Sequence, residues 1–294
     1  DFRDQLYLDL NNLNILGRVY ISYEGINVQV SIPEDRQHDF TKYINSYDEL
    51  KNVQIKRAIQ EGNSFYKLVI KIKDEIVAYG IDDKQYDMDR VGKHLDPIEF
   101  NKAIEDPNSI VVDIRNHYET EVGHFKDAII PDVDRSKELL EEVKQLLDGK
   151  EDRKILLYCT GGIRCEKASS YLIKNDFKDV NQLKGGIINY SHEVKKNNLE
   201  SKFIGKNFVF DNRLGERITP EIISSCHQCK KESDTHRNCA NNLCHLLFLQ
   251  CADCDIKFDG CCSVECSDYL KLSDKDKELS KAEFLDYNNK RLEG

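Results

Sequence analysis

The sequence predicts an α/β chain in three parts: a small α/β unit, a mostly parallel-sheet domain and a compact cysteine-rich module. Three observations predict it. Strand-length apolar runs and helical periods share the first 200 residues, and the middle of the chain alternates strand with helix, which demands crossover connections and a parallel sheet. Nine of the 11 cysteines fall between Cys226 and Cys266. The 294 residues suffice for two or three domains. Hydrophobic residues make up 39% and charged ones 33%, as in globular proteins. The longest apolar runs, such as Leu246-Leu247-Phe248-Leu249, fall far short of the ~20 residues that a bilayer span needs.

Residues 1–80 open with Phe2–Leu13, where Leu6, Leu10 and Leu13 recur at helical spacing. Two strands follow, Gly17–Ser22 and Gly25–Ile32; the second alternates Ile26, Val28, Val30 and Ile32, the period of a half-buried strand. Pro33-Glu34-Asp35 starts a helix with proline and acids in its first turn, and Phe40, Tyr43, Ile44 and Tyr47 form its apolar face. Phe65–Ile72 and Ile76–Tyr79 read as strands. The order α-β-β-α-β is that of a ferredoxin-like βαββαβ unit whose first strand is trimmed from the start at Asp1, expected to serve as a scaffold or docking domain.

Residues 81–93 are polar and read as a linker to a second domain over 94–200. Asp96-Pro97 caps a helix through Ile104. Ser109–Ile114 and Lys154–Tyr158 are buried-type strands, Lys137–Leu147 is an amphipathic helix, and a loop leads into a helix over Glu166–Asn175. Val180–Leu183 is a short strand followed by Gly185-Gly186 and another helix. Residues 201–272 hold a basic linker and the cysteine module, and 273–294 form a polar tail. The net charge of −10 excludes a uniformly basic coat. Locally the sign reverses: between Lys195 and Lys231, eight basic residues face four acidic ones. Lys202, Lys206, Arg213 and Arg217 in that run are the candidate contacts to an anionic substrate.

The segment Cys159-Thr160-Gly161-Gly162-Ile163-Arg164-Cys165 lies between a buried strand and a helix. Loop amides and the free N–H groups of a helix's first turn converge there into an anion cradle. A cysteine at its mouth is expected to ionise, Gly161 and Gly162 let the backbone curl, and Arg164 adds fixed charge. Cys159 is therefore the candidate nucleophile or persulfide carrier, with Arg164 its electrostatic partner. Two readings of Cys165 stay open, a resolving thiol or a small buried helix residue. His117, Tyr118 and His124 either line the pocket or are satisfied structural residues.

The second cysteine group reads Cys226-x2-Cys229, Cys239-x4-Cys244, Cys251-x2-Cys254 and Cys261-Cys262-x3-Cys266. Paired CxxC turns present four thiolates to one tetrahedral ion, the spacing of structural zinc. The simplest assignment puts Cys226, Cys229, Cys251 and Cys254 on one zinc. Cys239, Cys244, Cys266 and either Cys261, the first choice, or Cys262 complete a second. His227, His236 and His245 are substitute ligands, and disulfides or an iron–sulfur cluster are the competing readings. Metal binding adds ~10–16 kcal/mol of folding free energy to modules of this kind. Such cysteine use, without an export signal, fits a reducing cytoplasm.

The loop Cys159-x-x-Gly162-x-Arg164 resembles the active-site loop of the rhodanese family. Asp113-Ile114-Arg115, Gly123-His124-Phe125 and Gly185-Gly186 are similar to that family's supporting marks. Longer stretches (Glu24-Gly25-Ile26-Asn27, YCTGGIRCEK over Tyr158–Lys167, FIGKNFVF over Phe203–Phe210, and CHQC over Cys226–Cys229) resemble the bacterial tRNA uridine hydroxylase family. Residues 128–136 look irregular beside that family's pattern. The resemblance implies oxygen-dependent hydroxylation of the wobble uridine to 5-hydroxyuridine, with Cys159 as the essential cysteine, the tRNA anticodon loop as partner and molecular oxygen as co-substrate. Neither flavin, haem nor NAD is recognised: no GxGxxG follows a strand. Two alternatives compete, a sulfurtransferase carrying a persulfide on Cys159 and a non-catalytic, zinc-bearing RNA-binding adaptor.

Overall fold

The structure, a computed structural model, describes residues 2–51, 55, 64–133 and 135–293. They form two compact units. The first comprises residues 1–116, 128–200 and 209–213; the second comprises 117–127, 201–208 and 214–294.

The first unit opens with α1 (Phe2–Asn12), β1 (Leu16–Ser22), β2 (Gly25–Ser31), α2 (Gln37–Ile44) and β3 (Leu68–Ile72). β1 and β2 form an antiparallel hairpin with Val19 opposite Val28. Gly17 makes its close approach possible, because a Cβ there would stand 2.2 Å from the Gln29 carbonyl oxygen. β3 lies on the other side of β1 and runs parallel to it, Val19 opposite Ile70. Leu6 and Leu10 of α1 and Phe40 and Ile44 of α2 bury one face of this sheet against Val19 and Ile70. The strand expected over Ile76–Tyr79 does not form. Its alternation has another cause: Val77 and Tyr79 insert into the core of the parallel-sheet layer, and the Tyr79 hydroxyl donates to the Arg164 carbonyl at 3.3 Å.

That layer contains β4 (Lys93–Leu95), α3 (Pro97–Ile104) and β5 (Ser109–Asp113). Asp96 caps α3 through a reciprocal box with Glu99, and Pro97 occupies the first turn, where no N–H is needed. α4 (His117–Thr120) and β6 (Gly123–Phe125) leave for the second unit; α5 (Ser136–Leu146), β7 (Lys154–Tyr158), α6 (Ile163–Lys174), β8 (Asp179–Leu183) and α7 (Gly186–Lys196) return. The four strands are all parallel in the order β4-β8-β7-β5. In the irregular stretch after residue 127, Ile129 adds a rung to the free edge of β5; Asp134 lies outside the described residues. Residues 81–93 are pinned rather than loose: the Asp87 and Gly92 amides donate to Ser170 Oγ at 2.7 Å and Ser169 Oγ at 2.8 Å on α6.

In the second unit, β6, β9 (Phe203–Asn207) and β10 (Glu216–Arg217) form an antiparallel sheet with β9 central. β11 (His236–Asn238) pairs with β12 (Leu247–Leu249), and α8 (Ala252–Lys257), α9 (Val264–Lys271) and α10 (Asp274–Glu293) follow. The polar tail is thus a helix with a purpose: Phe284 packs on Tyr269 with centroids 4.4 Å apart, and Asn288 is buried.

At the end of β5 the fully buried Arg115 binds Asp113 through two hydrogen bonds, Nε to Oδ1 at 2.8 Å and Nη2 to Oδ2 at 2.7 Å. Its guanidinium also lies 5.6 Å from the Tyr158 ring. Removing one partner strands the other's charge in the core, so Arg115→Met is expected to cost ~3–5 kcal/mol in urea unfolding. The double variant Asp113→Leu/Arg115→Met should regain much of that loss; equal losses in both would show that the charges are not what holds this strand end.

Candidate active site and cysteine clusters

β7 ends at Tyr158, which sits opposite Asp113, so the buried ion pair fixes the residue before Cys159. The chain then turns through Gly162, whose φ of 97° is left-handed, into the first turn of α6. The Gly162 N–H donates to Cys159 Sγ at 3.0 Å. Arg164 donates to Thr160 Oγ1 at 3.3 Å and lies 5.7 Å from the Phe210 ring. The Gly185-Gly186 pair supports the loop from behind. A Cβ on Gly186 would stand 2.5 Å from the Cys159 carbonyl oxygen, and the Ile187 and Ile188 amides donate to the carbonyls of Cys159 and Thr160 at 3.0 and 3.2 Å.

The sequence placed the Cys159 sulfur at the mouth of the cradle; the structure places it on the floor. Cys159 is 0% exposed and belongs to the buried core of the parallel-sheet layer. A Cβ on Gly161 would meet nothing within 4 Å, so the loop's outer side is open there. Burial pushes the Cys159 thiol up, but the Cys165 thiol's hydrogen bond, the Arg164 charge and the Gly162 amide together bring it down to about 5. Cys165, also fully buried, moves the other way, through burial and through Cys159 beside it. Neither is in a disulfide, and Cys165 holds its own proton more tightly while Cys159 gives its proton up more readily.

Lys167 was not legible as a partner of anything. Only 4% of its side chain is exposed, and it binds Glu24 Oε1 at 2.7 Å and Glu75 Oε2 at 2.6 Å, 4.5 Å from the Tyr86 ring. Glu24 occupies the β1–β2 turn, so this cluster fastens the N-terminal sheet to the helix that cradles Cys159. Both residues stand inside motifs, but nothing in the chain pairs positions 143 apart.

The other candidates have structural partners. The Tyr118 ring stands edge-on to Phe208 at 5.3 Å, and its carbonyl lies 2.8 Å from His236 Nε2. His124 Nδ1 lies 3.0 Å from the Phe125 carbonyl oxygen, and His117 opens α4. In the basic run, Arg213 pairs with Asp211, Arg217 with Asp234, and Lys206 donates to the Asp234 carbonyl at 3.1 Å. Lys202 precedes β9, where its carbonyl accepts from the Lys126 amide at 3.0 Å.

Two thiol quartets can each hold a metal ion. The sulfurs of Cys226, Cys229, Cys251 and Cys254 lie within 4.8 Å of one another, as do those of Cys239, Cys244, Cys262 and Cys266. The structure thus closes the second quartet with Cys262, correcting the expected Cys261. Cys261 follows the left-handed Gly260, its carbonyl accepts from Gln228 and Gln250, and its side chain is buried beside the quartet. The histidines stand outside both groups; His227 Nε2 lies 2.9 Å from Glu121 Oε2, a carboxylate that burial would raise but His227 and His236 bring down to about 2. Sequence reasoning missed Arg291 of α10, whose Nη2 donates to the sulfurs of Cys244 and Cys262 at 3.3 and 3.2 Å and to Asn288 Oδ1 at 2.9 Å.

A covered thiolate after a parallel strand, under a loop that opens a helix, defines the class: a rhodanese-type domain. Residues 96–193 match the rhodanese-like domain, 204–267 the rhodanase C-terminal family, and 1–76 the UPF0176 acylphosphatase like domain. Over 96% of this chain, a relative in Leptospira interrogans is 54% identical, with 77% of its own length covered. Relatives in Hamiltonella defensa and Photorhabdus laumondii are 47% and 44% identical over 96% of the chain, with 80% and 81% of their lengths covered. All three are called tRNA uridine(34) hydroxylase, and this chain belongs to that family.

A folded value of about 5 against 9.0 for a free thiol means that the ionised sulfur favours the fold fully above pH 9.0 and loses that contribution as pH falls through about 5. The thiolate absorbance near 240 nm that is lost in Cys159→Ser, which needs no reagent to reach the sulfur, is expected to rise with a midpoint near pH 5. Arg164→Gln and Cys165→Ala should each move that midpoint upward. A midpoint near pH 9 in the unmodified protein would show that the loop leaves the thiol ordinary.

Proposed function

We propose that the chain hydroxylates uridine 34, the wobble base of tRNA, and that the Cys159 thiolate is the group that engages the base. The hydroxylase activity follows from membership of the family; the assignment of Cys159 is supported by the Gly162 amide aimed at its sulfur at 3.0 Å at the start of α6, the observation that carries the reading, and by surroundings that lower its pKa to about 5. An anticodon base is unpaired and can be splayed out of its stack into a protein site. Thiolate addition to C6 forms the S–C6 bond and moves the C5–C6 π pair toward C5 and O4. Arg164 and the loop amides offset the charge gathered on O4. Molecular oxygen is the proposed source of the new atom: C5 gives its electron pair to O2 and, with a proton, becomes a C5 hydroperoxide, whose O–O bond an external dithiol reductant cleaves, its thiols becoming a disulfide and the outer oxygen leaving as water. Loss of the C5 proton with expulsion of the Cys159 thiolate then restores the C5–C6 double bond and leaves 5-hydroxyuridine.

We assign zinc to both thiol quartets. Zinc–sulfur bonds of ~2.3 Å set tetrahedral sulfurs about 3.8 Å apart. The separations fit: 3.5 Å for Cys229–Cys251, 3.6 Å for Cys244–Cys262 and 3.7 Å for Cys262–Cys266. Zinc there would hold the small unit's loops together, and Arg291 would offset the negative charge of the second quartet.

Nucleoside mass spectrometry of tRNA from cells carrying Cys159→Ser is expected to show no 5-hydroxyuridine derivatives. Loss of thiolated nucleosides instead would make the chain a sulfurtransferase, and an unchanged profile would leave Cys159 without a catalytic part. Metal analysis should return about two zinc ions per chain, about one in Cys262→Ser and about two in Cys261→Ser. Arg291→Gln should weaken zinc retention at the second quartet roughly 10–100-fold against a chelator; retention equal to that of the unmodified chain would make the guanidinium contact incidental.

A further inference from the structure

The sheet β2-β1-β3 has two unlike faces. One is covered by α1 and α2. The other carries the alternate positions Arg18, Tyr20 and Ser22 of β1, Asn27, Gln29 and Ser31 of β2, and Val69 and Lys71 of β3, with Lys67 and Lys73 continuing the same alternation at its ends. Arg18, Gln29, Lys67, Lys71 and Lys73 are exposed, so no layer of the described residues covers this face. None of the three strands contains an aspartate or glutamate. In a chain of net charge −10, four cations gathered on one face without a carboxylate among them reverse the local sign.

These cations are also in a different state from Lys206, Arg213 and Arg217 of the 195–231 run. There, Lys206, Arg213 and Arg217 are engaged by Asp234 and Asp211. Among the described residues, Arg18, Lys67, Lys71 and Lys73 have no carboxylate partner; Lys73 instead lies 5.7 Å from the Tyr20 ring and Arg18 6.0 Å from the Phe65 ring. Tyr20 stands mid-face, opposite Asn27 on one side and Lys71 on the other. An aromatic ring flanked by amides and ringed by unpaired cations on an open sheet combines a surface on which a base can stack with charges that follow a phosphodiester backbone. Cations already neutralised within the protein release few counterions on binding; unpaired ones supply the affinity.

We propose that the open face of the N-terminal sheet, centred on Tyr20 with Arg18, Lys67, Lys71 and Lys73, binds the sugar–phosphate backbone of the tRNA substrate. The inference rests on the reading of the chain as a tRNA hydroxylase and adds where the polynucleotide is held. It gives the N-terminal sheet a task beyond scaffolding. The buried Lys167 cluster, which joins the β1–β2 turn to α6, ties this face to the helix that cradles Cys159.

The test is tRNA binding by full-length protein, measured by fluorescence anisotropy across a potassium chloride series. Arg18→Gln/Lys71→Gln/Lys73→Gln should bind about tenfold or more weakly at low salt, and its log–log salt slope should fall by ~0.7–0.9 for each cation removed. Arg18→Lys/Lys71→Arg/Lys73→Arg should keep the native slope, which separates charge from folding. Tyr20→Ala should weaken binding with the slope retained. The comparison variant Lys196→Gln/Lys231→Gln, whose lysines already pair with Glu193 and Asp253, should leave the slope unchanged. If the sheet triple keeps the native affinity and slope, or the slope loss appears only in the comparison variant, the surface is misassigned. Cys159→Ser should bind tRNA like the unmodified chain while making no 5-hydroxyuridine. If it makes 5-hydroxyuridine, the catalytic reading fails independently of where tRNA binds, and if the unmodified chain binds no tRNA, both fail.

Discussion

Everything at the centre of the first unit depends on one sulfur being cheaper to ionise than to keep neutral, although it is fully buried. Desolvation alone would hold a thiol in its neutral form. Three short-range contributions reverse that at Cys159: the proton offered by Cys165, the charge of Arg164 and the amide of Gly162. Each comes from the first turn of α6, so the sulfur's chemistry is set by the angle at which that helix leaves the loop. Gly162 permits the turn, and Gly186 leaves room for the loop to lie against α7. The wall behind the sulfur is therefore made of backbone, which is rigid and cannot reorient as side chains do.

The same helix is held at its outer end by residues from elsewhere in the chain. Lys167 is surrounded by Glu24, Glu75 and Tyr86, and Ser169 and Ser170 accept the amides that pin residues 81–93. A buried lysine with two carboxylates is strongly coupled to its partners' positions, because removing either leaves charge uncompensated. The N-terminal sheet is accordingly a positioned part of the first unit.

The second unit solves another problem. Its core around α9 and α10 includes Cys239, Cys244, Cys261, Cys266, Phe248, Tyr269 and Phe284, few large apolar side chains for a structure of many short elements. Thiol quartets supply the missing cohesion when they hold metal. α10, with little sequence amphipathicity, is retained because Phe284, Asn288 and Arg291 each reach the module at a different point.

Local pattern made a good deal of this legible. Periodicity and capping located most strands and helices, since an apolar alternation or an Asp-Pro start acts within a few residues. The Cys159 loop was visible because its chemistry depends on contiguous residues between a strand and a helix, and CxxC spacing exposed the metal quartets for the same reason. What failed had long-range causes. Val77 and Tyr79 alternate like a strand but serve a distant core, and Cys261 and Cys262 differ only by which way a turn directs each side chain. The sequence by itself determined which residues are candidates for reaction and for metal, because those are properties of residue type and near neighbours. Only the tertiary structure decided the protonation of Cys159, the burial of Lys167 and which positive charges are left for an anionic partner, because Coulomb and desolvation energies depend on separations that folding alone creates.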